Sequence, residues 1–161
     1  MDIISDTNFW IDFQIIHGLE LPFRLNHSFY LSTETLKIEF LFPPGITKKL
    51  IELGLVPLEF NEAEYFAVPE IMASHPRLSR HDALALSIAI ERKYILLTGD
   101  KDLRKAGEAA KVTIKGTLWI FDELKRENCI TSLEYRQYMH ALLEHNGKSI
   151  RLPKSEILKR L

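Results

Sequence analysis

The chain has 161 residues, of which 46% are hydrophobic and 27% charged, and its formal net charge is −1. That length suits one domain with a real core and no staples, and a charge so near zero excludes capture of nucleic acid by the field of the whole molecule, leaving only local basic patches. The lone cysteine, Cys129, excludes an intramolecular disulfide and a thiolate metal centre, and reads as a small buried residue.

Met1 to Ser5 reads as a short buried strand ending at Asp6, and TNFWIDFQII then takes helical spacing until Gly18. Asp2, Asp6 and Asp12 interrupt this opening stretch, no basic region precedes it, and no apolar run in the chain would span a bilayer, so the expected location is cytoplasmic. A second strand is expected at Ser28 to Leu31. Glu34 to Leu41 reads as helix until Pro43-Pro44-Gly45 breaks it, and Ile46 to Leu53 reads as a further helix closed by Gly54. Leu55 to Phe60 is a predicted strand. Asn61 then caps a helix running through Met72, with Pro69 as a point of kinking or splitting.

Ser79 starts a helix so apolar, through Ala83, Leu84, Leu86, Ile88, Ala89 and Ile90, that it should be buried. Tyr94 to Thr98 is a continuous apolar run, as in a parallel strand covered on both faces. Asp100 opens the next helix, Val112 to Ile114 is a short strand, and Thr117 to Glu127 and Ser132 to Glu144 are amphipathic helices. Arg151 to Leu161 is a basic tail containing at most a short final helix. Strands alternating with helices predict an α/β fold with a mainly parallel sheet. Residues 1–161 read as one domain, with a core over about 2–131 and C-terminal helices and tail over 132–161.

In open α/β sheets, sites form beyond the carboxyl ends of the strands. Asp6 and Asp100 stand at two such ends. Asp82 lies in the first turn of the apolar helix, where an isolated charge would be costly unless capped, paired or bound to metal. Glu39 lies in the helix after the second strand, with Ile38 and Phe40 around it. Carboxylates drawn together repel one another, and hard divalent cations such as Mg2+ or Mn2+ resolve the repulsion with oxygen ligands. A pair of such ions would hold a phosphodiester, activate water and stabilise the leaving oxygen. The alternative for Asp6 and Asp100 is a plain N-cap, and for Asp102 a complement to the helix dipole.

These residues also carry a resemblance. SDTNFWIDF resembles the opening motif of PIN-domain nucleases, LSRHDALALSIAI their central motif with Asp82 as its acid, and YILLTGDKDL their late motif with Asp100 as its acid. The resemblance runs from about Asp2 to Thr131, and the length and the Asp-Thr-Asn opening are most similar to VapC-type toxins of toxin–antitoxin pairs. It implies a three-layer α/β/α sandwich and Mg2+-dependent endonucleolytic cleavage of RNA, with Mn2+ as a substitute and Asp6, Glu39, Asp82 and Asp100 as metal ligands. Thr7, Asn8 and Thr98 are then candidates to orient ligands or water. The family's glutamate follows its second strand; Glu34 and Glu39 both fit, and Glu39 is favoured by its apolar neighbours and its distance from the strand. The resemblance also implies a protein antitoxin and a homodimer, for which Phe9, Trp10, Phe13, Phe40 and Phe42 offer aromatic surface. KGTLWIFDEL resembles an element of some PIN subfamilies and is assigned no role.

Arg80, Lys101, Arg104 and Lys105 are candidates to contact RNA phosphate, or else a solvated helix face. His81 neighbours Asp82 on a different helical face, which suggests a solvent-facing or RNA-facing role. His140 and His145 do not make the spacing of a zinc hydrolase, and Gly147-Lys148-Ser149 lacks the earlier glycine of a phosphate-binding loop. Trp10, Phe13, Trp119 and Phe121 read as core or interface. Two other readings keep the fold: a housekeeping RNA-processing nuclease without antitoxin, and a catalytically weak binding module.

Overall fold

Short apolar runs punctuated by good helix caps produce alternating strands and helices along the chain. The computed structural model describes residues 1–38 and 45–161. Among them, Asp2–Ser5 (β1), Ser28–Ser32 (β2), Val56–Leu58 (β3), Ile95–Leu97 (β4) and Ile114–Lys115 (β5) form one sheet of parallel strands in the order β3-β2-β1-β4-β5. The helices are Thr7–Ile15 (α1), Thr33–Ile38 (α2), Ile46–Leu53 (α3), Glu62–Ser74 (α4), Arg80–Arg92 (α5), Lys101–Ala109 (α6), Thr117–Arg126 (α7), Ser132–His145 (α8) and Lys154–Leu158 (α9). Glu39, with Phe40, Phe42 and the Pro43-Pro44 break, lies outside the described residues.

Alternation along each strand makes the layers. Ile3 and Leu97 face one core with Phe9, Phe13, Phe121 and Met139, while their neighbours Ile4 and Leu96 face another with Val68, Leu84, Ile88 and Leu103. Helices α1, α7, α8 and α9 therefore cover one face of the sheet and α4, α5 and α6 the other, giving the α/β/α sandwich expected from the sequence. Helix α5 carries an unbroken buried run from Ala83 to Ala89.

Local chemistry sets the boundaries. Asn61, Ser79 and Thr131 each complete a capping box with the acid three residues on, and Asp6 and Asp100 cap α1 and α6. Gly54, at φ 129°, closes α3. Pro69 lies inside α4 without splitting it; the carbonyl its ring deprives of a partner belongs to exposed Tyr65, where water can replace the bond. The two edge strands are shorter than their apolar runs: among the described residues β3 pairs only with β2, over three residues, and contains Pro57, tolerable at an edge, and β5 pairs only with β4.

Two expectations change, for the aromatic residues of α1 and for Cys129. Phe9, Trp10 and Phe13 are 2%, 0% and 0% exposed, so they are core and offer no dimer surface. They pack against Phe23, Phe29 and Phe121 in the core on the face of the sheet that α1 covers. Cys129 is half-buried, with Sγ 3.4 Å from the Arg24 carbonyl oxygen. The basic tail is anchored: Ile157 enters the core and the Arg160 guanidinium grips Asp122 at 2.8 Å, where Tyr135 also donates.

Candidate active site

The chain crosses from one side of the sheet to the other at β1, so its carboxyl end and that of β4 open a crevice at the centre, the usual place for a ligand in such folds. Ser5 pairs with Leu97, which sets Asp6 beside Thr98 although 92 residues separate them. The Asp6 amide donates to the Leu97 carbonyl at 3.1 Å. Its carboxylate accepts from the Phe9 amide at 2.9 Å through Oδ1 and from the Thr98 hydroxyl through Oδ2. Thr98 Oγ1 in turn accepts from the Asp100 amide at 3.0 Å, so one fully buried hydroxyl ties together the two acids at the ends of β1 and β4.

Asp82 arrives from the other layer, as the third residue of α5. Its Oδ2 accepts from the Ser79 amide at 3.3 Å, closing the capping box, and it lines the same pocket as Asp6. Asp6 is 7% exposed. Burial pushes its carboxyl up to about 6; the bonds from Thr98 and Phe9 pull the other way, and the charges of Asp82 and Asp100 add to the rise. A carboxyl that titrates so close to neutrality gives up its proton readily to a cation but is costly to ionise alone.

The remaining predicted residues fall around this centre. Thr7 is buried and lines the pocket, whereas Asn8 is exposed. Lys101, Arg104 and Lys105 are exposed on α6, and a Cβ at Gly116 would lie 3.7 Å from an Arg104 guanidinium nitrogen and 3.6 Å from the Thr98 carbonyl oxygen. Arg80 makes a forked pair with Glu34, with Nη2 3.1 Å and Nε 3.3 Å from its oxygens, and lies 5.5 Å from the centre of the Tyr65 ring. Glu34 is thus engaged by a guanidinium.

One group was missed in the sequence. Asp12 is the sixth residue of α1, where burial and the charge of Asp6 push its carboxyl up to about 7 against a bond from the Thr117 hydroxyl. Thr117 is 3% exposed at the start of α7, which gives the Gly-Thr-Leu stretch a structural part; no local pattern links it to Asp12. His81 lines the pocket with Asp82 and contacts Thr35 Oγ1 at 3.0 Å. Residues at a helix N-terminus surround the end of the axis, so neighbours in the first turn can reach one site although they lie on different helical faces.

The donor set suits a hard divalent cation: carboxylate oxygens around a buried acid that, among the described residues, is paired with no cation. Among those same residues no three carboxylates, imidazoles or thiols converge closely enough to enclose a metal ion, Glu39 being outside them. No helix among them is long and apolar enough to cross a membrane.

The architecture is shared with known structures. A PilT N-terminus domain protein from the archaeon Sulfolobus solfataricus P2 superimposes with a TM-score of 0.55 at 16% identity, over 78% of this chain and 95% of the other. VapBC2 from Rickettsia felis, in a complex with a DNA fragment from its promoter, gives a TM-score of 0.50 at 16% identity, over 72% of this chain and 98% of the other. A comparison with curated protein sequences finds no match. A family profile described as PIN domain matches residues 2–161, and with the parallel sheet and the acids at its switch point, this chain belongs to the PIN-domain family.

Proposed function

We propose that this chain is a divalent-metal-dependent endoribonuclease, acting in the cytoplasm as the toxin of a VapBC-type toxin–antitoxin pair. PIN domains are generally nucleases, and the likeness to a VapBC complex favours a protein partner of the antitoxin kind. The observation that carries the reading is the placement of Asp6: buried at the switch point, bridged to Asp100 through Thr98, and sharing a pocket wall with Asp82.

Asp6, Asp82 and Asp100, with Glu39, are the residues that would hold Mg2+, or Mn2+ in its place. When bound, such an ion supplies charge neutralisation for a phosphodiester and activation of water. The chain does the positioning. Thr98 holds one carboxylate oxygen of Asp6 and the backbone amide of Asp100, and the Phe9 amide holds the second oxygen of Asp6. Burial keeps the Asp6 carboxyl near 6, so cation binding and loss of its proton are coupled close to neutral pH. Lys101 and Arg104 stand on exposed turns of α6 near this end of the sheet, where they can meet the backbone phosphates of a single strand.

Asp6→Asn and Asp82→Asn should each abolish cleavage of a labelled RNA in Mn2+ while far-ultraviolet circular dichroism stays that of the parent. Full cleavage by either variant, or undiminished parent cleavage in chelator, would sink this reading.

A further inference from the structure

We propose that Ser32, Thr35 and His81 form a recognition site for the ribose 2′-hydroxyl, so that this face of the pocket selects RNA over DNA; the inference rests on the nuclease reading above and adds to it the basis of substrate choice.

The crevice has two chemically different sides. Asp100, after β4, lies on one side of Asp6. On the other side, after β2, the wall carries hydroxyls and a ring: Ser32 ends the strand, Thr35 follows in the first turn of α2, and His81 comes across from α5. Ser32 Oγ donates to Thr35 Oγ1 at 2.7 Å, the Thr35 amide donates back to Ser32 Oγ at 3.1 Å, and Thr35 Oγ1 lies 3.0 Å from His81 Nδ1. Two hydroxyls and a ring nitrogen are thus fixed in a row between elements 46 residues apart. Ser32 and Thr35 are 2% and 5% exposed, so their orientation is set by the fold and not by solvent.

The space between this wall and Asp6 is about 10 Å³, room for one water-sized group. A base ring cannot enter it, and a second phosphate would meet the carboxylates of Asp6 and Asp82. A sugar hydroxyl is the part of a nucleic acid that fits in size and charge. It is donor and acceptor at once, so it can use the one position that Thr35 Oγ1 keeps beyond its partners Ser32 and His81, and it is the group by which a protein tells RNA from DNA. A cation held toward Asp100 would bring a phosphate to the centre of the crevice, and the adjoining ribose is the next group within reach of the hydroxyl wall.

The test measures binding and cleavage on the full chain. Fluorescence anisotropy in Ca2+, a hard cation that takes the same oxygen ligands, gives the affinities for a single-stranded RNA and for DNA of the same sequence, and gel assays in Mn2+ give kcat/KM for RNA and for the same RNA carrying one 2′-deoxy residue at the cleavage point. The parent should prefer RNA by about tenfold in both readouts, the worth of one or two hydrogen bonds. Thr35→Val should bring that preference close to one, His81→Ala should reduce it, and Thr35→Ser, which keeps the hydroxyl, should retain it. A preference in binding without cleavage would refute the nuclease reading and leave this site standing. Equal affinity of the parent for RNA and DNA, or equal losses on both polymers in Thr35→Val and His81→Ala, would overturn the inference.

Discussion

Replacing Asp12 by asparagine should stabilise the metal-free protein at neutral and alkaline pH and have no effect in acid. Burial, with the charge of Asp6 behind it, raises the Asp12 carboxyl from an ordinary 3.8 to about 7. Between those values the folded chain holds a proton that the unfolded chain has released, so stability falls as pH rises through this window and is lowest above it. Each pH unit corresponds to about 1.4 kcal/mol, which sets a ceiling of ~4 kcal/mol at pH 8. Asp12 is only half-buried, and solvent screening brings the expected gain to about 2 kcal/mol. The asparagine carbonyl can still accept from Thr117, so no hydrogen bond is lost with the charge. For a chain of this length, 1 kcal/mol moves Tm by about 2–4 °C. Thermal unfolding in chelator should therefore put Asp12→Asn about 4–8 °C above the parent at pH 8 and level with it near pH 4. A variant less stable than the parent at pH 8, or a difference independent of pH, would refute the electrostatic account of this residue.

Other expectations follow from the same structure. Millimolar Mn2+ should raise the Tm of the parent, since a cation at one hundred times its dissociation constant adds about 2.7 kcal/mol to a fold that alone binds it; Asp82→Asn should blunt this rise, and an identical response in both would remove Asp82 from the cation site. Glu64 is fully buried and pairs with Arg92 at 2.5 and 3.1 Å, locking α4 to α5 together with the bond from Ser87 to the Glu64 carbonyl. Arg92→Met should cost about 3 kcal/mol in urea unfolding by stranding the carboxylate, and adding Glu64→Gln should recover part of it; a cost below about 1 kcal/mol would show that the pair contributes little.

The sequence alone determined the features that depend on near neighbours. Asp6 and Asp100 could be placed at strand ends because each follows an apolar run and caps the next helix, and both events involve only three or four residues. The same holds for Asn61, Ser79 and Gly54 as helix boundaries, and for the buried face of α5. The family resemblance supplied Asp82 as part of the same site, which no local rule would have done. Tertiary structure decided what lies across the sheet. Thr98 reaches Asp6 over 92 residues and His81 reaches Thr35 over 46, because strand order and layer packing, not spacing along the chain, bring them within 3 Å. It also decided that Phe9, Trp10 and Phe13 face inward: an aromatic cluster in a sequence looks the same whether it fills a core or covers an interface, and the direction in which α1 lies on the sheet makes the difference. Asp12 shows the limit most clearly. Its place inside a short apolar helix gives no hint that burial and the carboxylate of Asp6 oppose its charge, since that cost arises only when the fold removes the water between them.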